Sequence, residues 1–310
     1  MADFALQLPK AELHLHLEGS VEPETLHELD PATPVEEFRA LYRYADFDEF
    51  LKAFAEAGKL LRTPADYALI ARRLLARLAA ENVRYAEITL AVGMVLWKGH
   101  EFAPIFDAVS EAAAASPVEV RWILDAVRQF GPEPAGRVAA LAAERTDRGV
   151  VAFGLGGSEE RGPAYWFGDA AACARLAGLH LTVHAGETAG PESVWAALRL
   201  GAARIGHGIR AIEDPALVAH LREHRIPLEI CITSNLVTGV VARLEDHPVR
   251  RLYDAGVPIV LNTDDPAMFS CTLTGEYQLA ARAFGFTEAE LRGIAENGFR
   301  YAFGGEGSTR

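Results

Sequence analysis

An eight-stranded α/β barrel of the TIM type is the architecture this chain's pattern specifies. Short apolar runs with β-branched and aromatic residues alternate with Ala/Leu/Arg/Glu-rich stretches of helical period, and about eight such runs occur in 310 residues. The polar motifs that could do chemistry also fall where those runs end, and barrels of this kind carry their reactive groups at the carboxyl ends of the strands.

Taken in order, Glu12–Leu17 sets Leu13, Leu15 and Leu17 between polar residues, and Arg84–Leu90 carries Tyr85, Ile88 and Thr89. Val118–Ala126 and Val150–Leu155 follow; Leu179–Ala185, Arg204–Gly206, Pro227–Cys231 and Pro258–Asn262 complete the set. Such side chains fit a pleated, half-buried surface, which is why the runs read as strands. Between them, Thr63-Pro64-Ala65-Asp66 places a cap before a first-turn proline and an acid, and Thr287-Glu288-Ala289-Glu290 reads as a capping box. Gly201 and Asn297-Gly298 read as helix stops. One stretch breaks the alternation. Residues 30–80 are helical in pattern and far exceed the usual strand-to-helix connection, so they are expected to form a lid. The simplest organisation is one barrel domain over residues 1–310, with that lid inserted after the first strand.

Composition narrows the functions. The 30 basic against 43 acidic side chains leave a charge of −13, which repels phosphate backbones and anionic membranes, so neither nucleic acid nor a membrane is an expected partner. Cys173, Cys231 and Cys271 are too few and too scattered for a disulfide framework or a thiolate cage, and a reducing cytoplasm fits. The N-terminus lacks a basic start followed by an apolar stretch, and no segment stays apolar for the ~18 residues that a membrane span requires. Nothing in the pattern sets an oligomeric state.

Four motifs carry the chemistry: His14-Leu15-His16, His184-Ala185-Gly186-Glu187, Gly206-His207-Gly208 and Asn262-Thr263-Asp264-Asp265. Side chains two apart on a strand share a face, so His14 and His16 point together into the barrel mouth, while His184 and Asp264 end two further strands. Three imidazoles and a carboxylate form a mixed set that zinc accepts with a position left for water; Fe2+ or another divalent ion suits the same donors. Such an ion acidifies its water, and a proton donor is then required. Glu187 is placed for that task, three residues beyond His184 and past a glycine that lets the backbone turn. His207 is expected to orient and stabilise the attacking oxygen. Asp265, unable to share the ion of Asp264, is expected to face the substrate. Each has a blander reading, since barrel histidines are often hydrogen-bonded core residues and loop glutamates often cap helices.

Over nearly the whole chain, about Leu8 to Phe303, the sequence resembles the adenosine deaminase family of metal-dependent amidohydrolases. The likeness lies in Glu12-Leu13-His14-Leu15-His16-Leu17-Glu18-Gly19, the His184 motif, Arg204-Ile205-Gly206-His207-Gly208, Thr233-Ser234-Asn235 and Asn262-Thr263-Asp264-Asp265-Pro266. The resemblance implies zinc on His14, His16, His184 and Asp264 and attack at C6 of an adenine ring. Glu187 would protonate N1, His207 would stabilise the oxygen, Asp265 would bond N7, and ammonia would leave. It further implies substrate contacts from His16, from Glu18 at the ribose end and from the backbone of Gly157 near purine N3, with a small purine nucleoside as the partner.

Two departures matter. Where adenosine enzymes of the family commonly carry aspartate, this chain has Glu18; where the family often shows an acid, two small residues and Asp-Glu, it has Gly154-Leu155-Gly156-Gly157-Ser158-Glu159. With Trp166-Phe167 soon after and longer insertions missing, this variant is similar to bacterial relatives acting on 6-aminodeoxyfutalosine, an adenine nucleoside bearing a carboxyphenyl group at its 5′ end. A cation for that carboxylate is then needed, and Arg128 is one candidate, although adenosine enzymes of the family also carry an arginine there and a rim salt bridge is its plainer role.

The lid offers Tyr44, Phe47, Phe50, Phe54 and Leu61, which either cover the substrate or form a buried helix stripe. Thr233-Ser234-Asn235 either supports the metal ligands or turns the chain. His180 reads as structural, and His27, His100, His220, His224 and His247 as surface residues. His16-Leu17-Glu18 fits half of the signature of cytidine-type deaminases, but no Pro-Cys-x-x-Cys follows, which removes that fold. Two rivals stand: another amidohydrolase reaction at the same metal, or a catalytically silent barrel that senses a purine.

Overall fold

A computed structural model describes residues 2–304. Its strands are β1 (Lys10–His16), β2 (Val83–Leu90), β3 (Glu119–Val127), β4 (Val150–Gly156), β5 (His180–Ala185), β6 (Arg204–His207), β7 (Leu228–Ile230) and β8 (Ile259–Leu261). They form one parallel sheet in chain order, as a barrel with a helix after each strand requires. Each of the eight expected runs is a strand, and only the ends move.

The seam between β8 and β1 is closed in an unusual way. All three residues of β8 pair with β7, and a single bridge between Leu15 and Asp264 stands in for a ladder on the β1 side. Beyond its end, the N–H of Asp264 donates to the carbonyl of His14 at 3.0 Å, and the N–H of His16 donates to the carbonyl of Asp264 at 2.8 Å. Side chains complete the closure. Asn262 Oδ1 accepts from the backbone of Leu13 and His14 at 2.9 and 3.2 Å, and the Glu12 carboxylate accepts from Thr263 N–H at 2.8 Å.

Below the mouth, the interior holds paired charges among its aliphatic side chains. Arg204 bonds Glu87 and Glu229 at 2.5 Å each, and its guanidinium lies 3.5 Å from the centre of the Phe303 ring. Charges this deep persist only when paired.

The expected capping box of Thr287 with Glu290 is present, the expected cap at Thr63 is a full box with Asp66, and Gly201 ends its helix in the left-handed conformation. Asn297-Gly298 is not a stop. The helix Glu288–Arg300 runs through it, because the glycine serves a close approach: a Cβ on Gly298 would lie 3.1 Å from Cβ of Ala11. Asn297 donates to the Ile259 carbonyl at 3.1 Å.

Helices Pro23–Leu29, Val35–Leu41, Phe47–Gly58 and Pro64–Ala80 lie between β1 and β2. The last of them buries Leu74, Leu75 and Leu78 in the main core, as does Leu61, so it is a helix of the barrel wall. Leu26, Phe38 and Ala57 of the three preceding helices join the same core, so all four helices are anchored to the barrel. No helix among the described residues is long and apolar enough to cross a membrane.

Candidate metal centre and active site

His14 and His16 from β1, His184 from β5 and Asp264 just past β8 meet at the carboxyl end of the barrel. Each offers a donor atom within 4.8 Å of the others. A tetrahedral zinc with bonds of about 2.0–2.1 Å sets its donors roughly 3.3 Å apart. Asp264 Oδ1 lies 3.2 Å from Nε2 of both His14 and His16, and Nε2 of His16 and of His184 are 3.2 Å apart. His14 Nε2 is buried without a hydrogen-bond partner. Spacing, donor type and the orphaned nitrogen all fit a divalent cation. His207 and Asp264 hold left-handed backbone, with φ of 58° and 67°. That strain, on the order of 1–3 kcal/mol per residue, is typically retained where a site demands it.

Buried groups behind these residues orient them. Glu229 Oε2 lies 2.7 Å from His14 Nδ1, Ser234 Oγ donates to Asp264 Oδ2 at 2.7 Å, and Arg128 donates to the carbonyl of His184. Glu159 accepts the backbone N–H groups of Gly186 and Glu187 at 2.9 Å and of Thr188 at 2.8 Å, which fixes the loop carrying Glu187. An anion gathering successive N–H groups is a strong local anchor.

Burial and neighbouring charge set the protonation states. Burial raises the Glu187 carboxyl well above the usual range, and the charges of Asp264 and Glu159 add to the effect. Asp265 moves the same way, through burial and then the adjacent Asp264. Burial alone would raise Asp264 too, but the imidazoles of His14 and His16 packed against it outweigh that and hold its carboxyl well below its ordinary value. Burial pushes His207 down to about 3. Its Nε2 lies 3.6 Å from Glu187 Oε1 and 3.8 Å from Asp264 Oδ2. The site thus sets a carboxyl held down, Asp264, beside two carboxyls pushed up, Glu187 and Asp265, and an imidazole pushed down, His207.

A cavity of about 200 Å³ opens onto this cluster, lined by His16, His184, Glu187, His207, Asp264 and Asp265 on one side and by Phe47, Phe50, Phe54, Met94, Trp97 and Phe130 on the other. Phe47, Phe50 and Phe54 of the expected lid reach it; Tyr44 instead donates to the Met268 carbonyl at 2.5 Å. Gly157 also lines it, with φ of 92°, and a Cβ there would fall 2.3 Å from Gln129 Oε1. Glu18 stands behind the wall, accepting from Ala91 N–H at 3.2 Å. Arg128 is fully buried with its terminal nitrogens on the carbonyls of Gly162 and His184, so it is neither a rim ion pair nor free to meet a substrate.

The adenosine deaminase family profile matches residues 9–309. The chain belongs to that family. It is 40% identical to the aminodeoxyfutalosine deaminase of Streptomyces avermitilis over 97% of this chain and 88% of that protein. The crystal structure of an adenine deaminase from Arthrobacter aurescens superposes with a TM-score of 0.91 at 29% identity, covering 96% of this chain and 95% of that one. An amidohydrolase from Burkholderia ambifaria with bound zinc superposes at 0.88 with 27% identity over 98% and 88% of the two chains. As an adenosine deaminase family member, this chain is a metal-dependent hydrolase that deaminates adenine-type substrates.

Several residues of this deaminase site escape the sequence patterns. Glu229 sits mid-strand among apolar neighbours, and an acid in Pro227–Cys231 was the available signal. Glu159 had no such signal. Asp125 near the end of β3 lines the cavity, and burial pushes it up to about 7; its Oδ1 is buried without a partner. His247 is not a surface residue. It is buried, 3.2 Å from Asn235 Oδ1, because the chain folds back beneath the loop after β7.

Proposed function

We propose that this chain hydrolyses the 6-amino group of an adenine nucleoside that carries an apolar group at its 5′ end, using Zn2+. The observation that carries the reading is the meeting of His14, His16, His184 and Asp264 beside Glu187, His207 and Asp265. Bound there, the cation would supply a water acidic enough to act as nucleophile near neutral pH. Glu187, kept neutral by burial, holds a proton for purine N1, which makes C6 electrophilic and lets ammonia depart. Asp265, also neutral, donates to the N7 lone pair, which an ionised carboxylate would repel. His207 hydrogen-bonds the attacking oxygen, and the backbone of Gly157 faces the N3 edge.

The far wall supports the 5′ group. It is aromatic and aliphatic, and among the described residues neither lysine nor arginine lines the cavity. A phosphate there would lose its hydration without a counter-charge, a cost of several kcal/mol. An aryl group gains about 25 cal/mol per Å² buried. 6-Aminodeoxyfutalosine fits this class, provided its carboxylate stays in water. The free cysteines Cys173, Cys231 and Cys271 suit a reducing compartment such as the cytoplasm.

The test is ammonia release with metal-loaded protein and adenosine, adenine, deoxyadenosine, S-adenosylhomocysteine, AMP and 6-aminodeoxyfutalosine. The expected order in kcat/KM has the aryl-extended nucleoside first and AMP last. Equal values for adenosine and the extended nucleosides would remove the 5′ reading, and no ammonia from any of them would remove deamination.

A further inference from the structure

His207 meets the site through Nε2, which is buried and without a hydrogen-bond partner, while its other nitrogen is held from behind. Nδ1 lies 3.2 Å from Asn235 Nδ2, Asn235 Oδ1 lies 3.2 Å from His247 Nε2, and His247 Nδ1 accepts the backbone N–H of Val249 at 3.2 Å. The last contact gives the chain its direction, because a backbone amide can only donate. His247 Nδ1 is therefore the bare nitrogen, its Nε2 carries the hydrogen, and Asn235 must present oxygen to it. A flipped Asn235 would set two donors face to face. The Asn235 NH2 consequently points at His207, whose Nδ1 accepts and whose own hydrogen stands on Nε2. All three side chains are buried, and burial pushes His247 down to about 4, so that ring is neutral at physiological pH.

We infer that His247 and Asn235 are positioning residues that lock His207 as the Nε2–H tautomer, so that it donates to the attacking oxygen and cannot take a proton from it. A neutral imidazole in water samples both tautomers; here an amide hydrogen on a backbone two residues past His247 selects one. The functional half of this inference rests on the placement of His207 beside the nucleophile. The tautomer itself does not.

Long-range 1H–15N spectra of histidine-labelled, metal-loaded protein test it, with His207→Gln and His247→Gln supplying assignments. Both rings are expected to carry their proton on Nε2, and Nδ1–H on either overturns the relay. Asn235→Asp keeps the shape but replaces the donor with an acceptor. His207 should then move its proton to Nδ1 and turn a lone pair toward the oxygen. Losing one preorganised donor of this type costs about 10²–10³-fold in kcat, with KM and metal content little changed. An Asn235→Asp protein that retains the Nε2–H tautomer overturns the relay. One that switches tautomer yet keeps its turnover overturns the role given to His207 while leaving the metal site and deamination standing.

Discussion

Replacing Glu229 by glutamine exchanges one oxygen for an NH2 and tests how the metal site is held. Oε2 faces His14 Nδ1 at 2.7 Å and Oε1 faces Arg204 Nε at 2.5 Å; a carboxylate accepts from both. Glutamine has a single oxygen, which stays with the permanently charged guanidinium. Its NH2 turns to His14 Nδ1, which must then accept, and the proton moves to Nε2, the nitrogen that would bind the cation. Losing such an outer partner costs about 10–100-fold in metal affinity, or about 1.4–2.7 kcal/mol. Stability falls as well. Burial would raise the Glu229 carboxyl, but Arg204 and the hydrogen bond to His14 bring it down to about 2 from 4.5. The charged form thus contributes on the order of 3 kcal/mol to folding. For a depressed carboxyl, that contribution is present above the unfolded value and lost as pH falls through the folded one, so all of it operates at neutral pH. Zinc affinity by competition with a chromogenic chelator, and urea unfolding of metal-free protein, give the two numbers. Unchanged affinity refutes the tautomer argument, and unchanged unfolding refutes the net value of the charge.

Other perturbations separate the remaining parts. Glu187→Gln removes the proton donor proposed above and none of the four candidate ligands, so metal content should persist while kcat falls by about 10²–10⁴-fold; full turnover would contradict the proposed role. Glu276, which accepts from Ile232 N–H at 2.8 Å, is pushed up to about 7 by burial, against the opposing hydrogen bonds from Thr233 and Ile232. A raised carboxyl stabilises fully below its unfolded value near 4.5 and loses that contribution as pH rises through about 7. Relative to Glu276→Gln, the unmodified protein should therefore lose on the order of 3 kcal/mol between pH 5 and pH 8 in urea titrations, and a constant difference would count against it. Phe50→Ala opens the cavity wall and breaks packing on Phe269, whose ring centre is 5.0 Å away. Unfolding free energy should drop by about 3–5 kcal/mol, with KM for a 5′-extended nucleoside rising more than that for adenosine.

Local rules were enough wherever the structure is made locally. Thr63 with Asp66 and Thr287 with Glu290 satisfy helix N-termini within four residues, and the period-two spacing of His14 and His16 fixes their common face. Strand ends told where His184, His207 and Asp264 would converge. What stayed hidden depends on contacts between distant βα units. Glu229 is held by Arg204 and His14, Glu159 by a loop some thirty residues on, and His247 by Asn235, and none of these pairings leaves a periodic trace. Asn297-Gly298 misled for a related reason. Glycine is demanded there by the proximity of Ala11, and a helix can keep such a glycine in its interior at about 1 kcal/mol.

The side-chain closure between β8 and β1 has a mechanical meaning. His14 and His16 stand on one side of that junction and Asp264 on the other, so a cation held by all three would act as the clasp of a belt, drawing together the two ends of a ring that backbone pairing leaves loosely tied. Stripping the cation should loosen the buckle before the belt. Amide protons around Leu13, His14 and Asp264 would then exchange faster, while those along β2, β3 and β4 keep their protection.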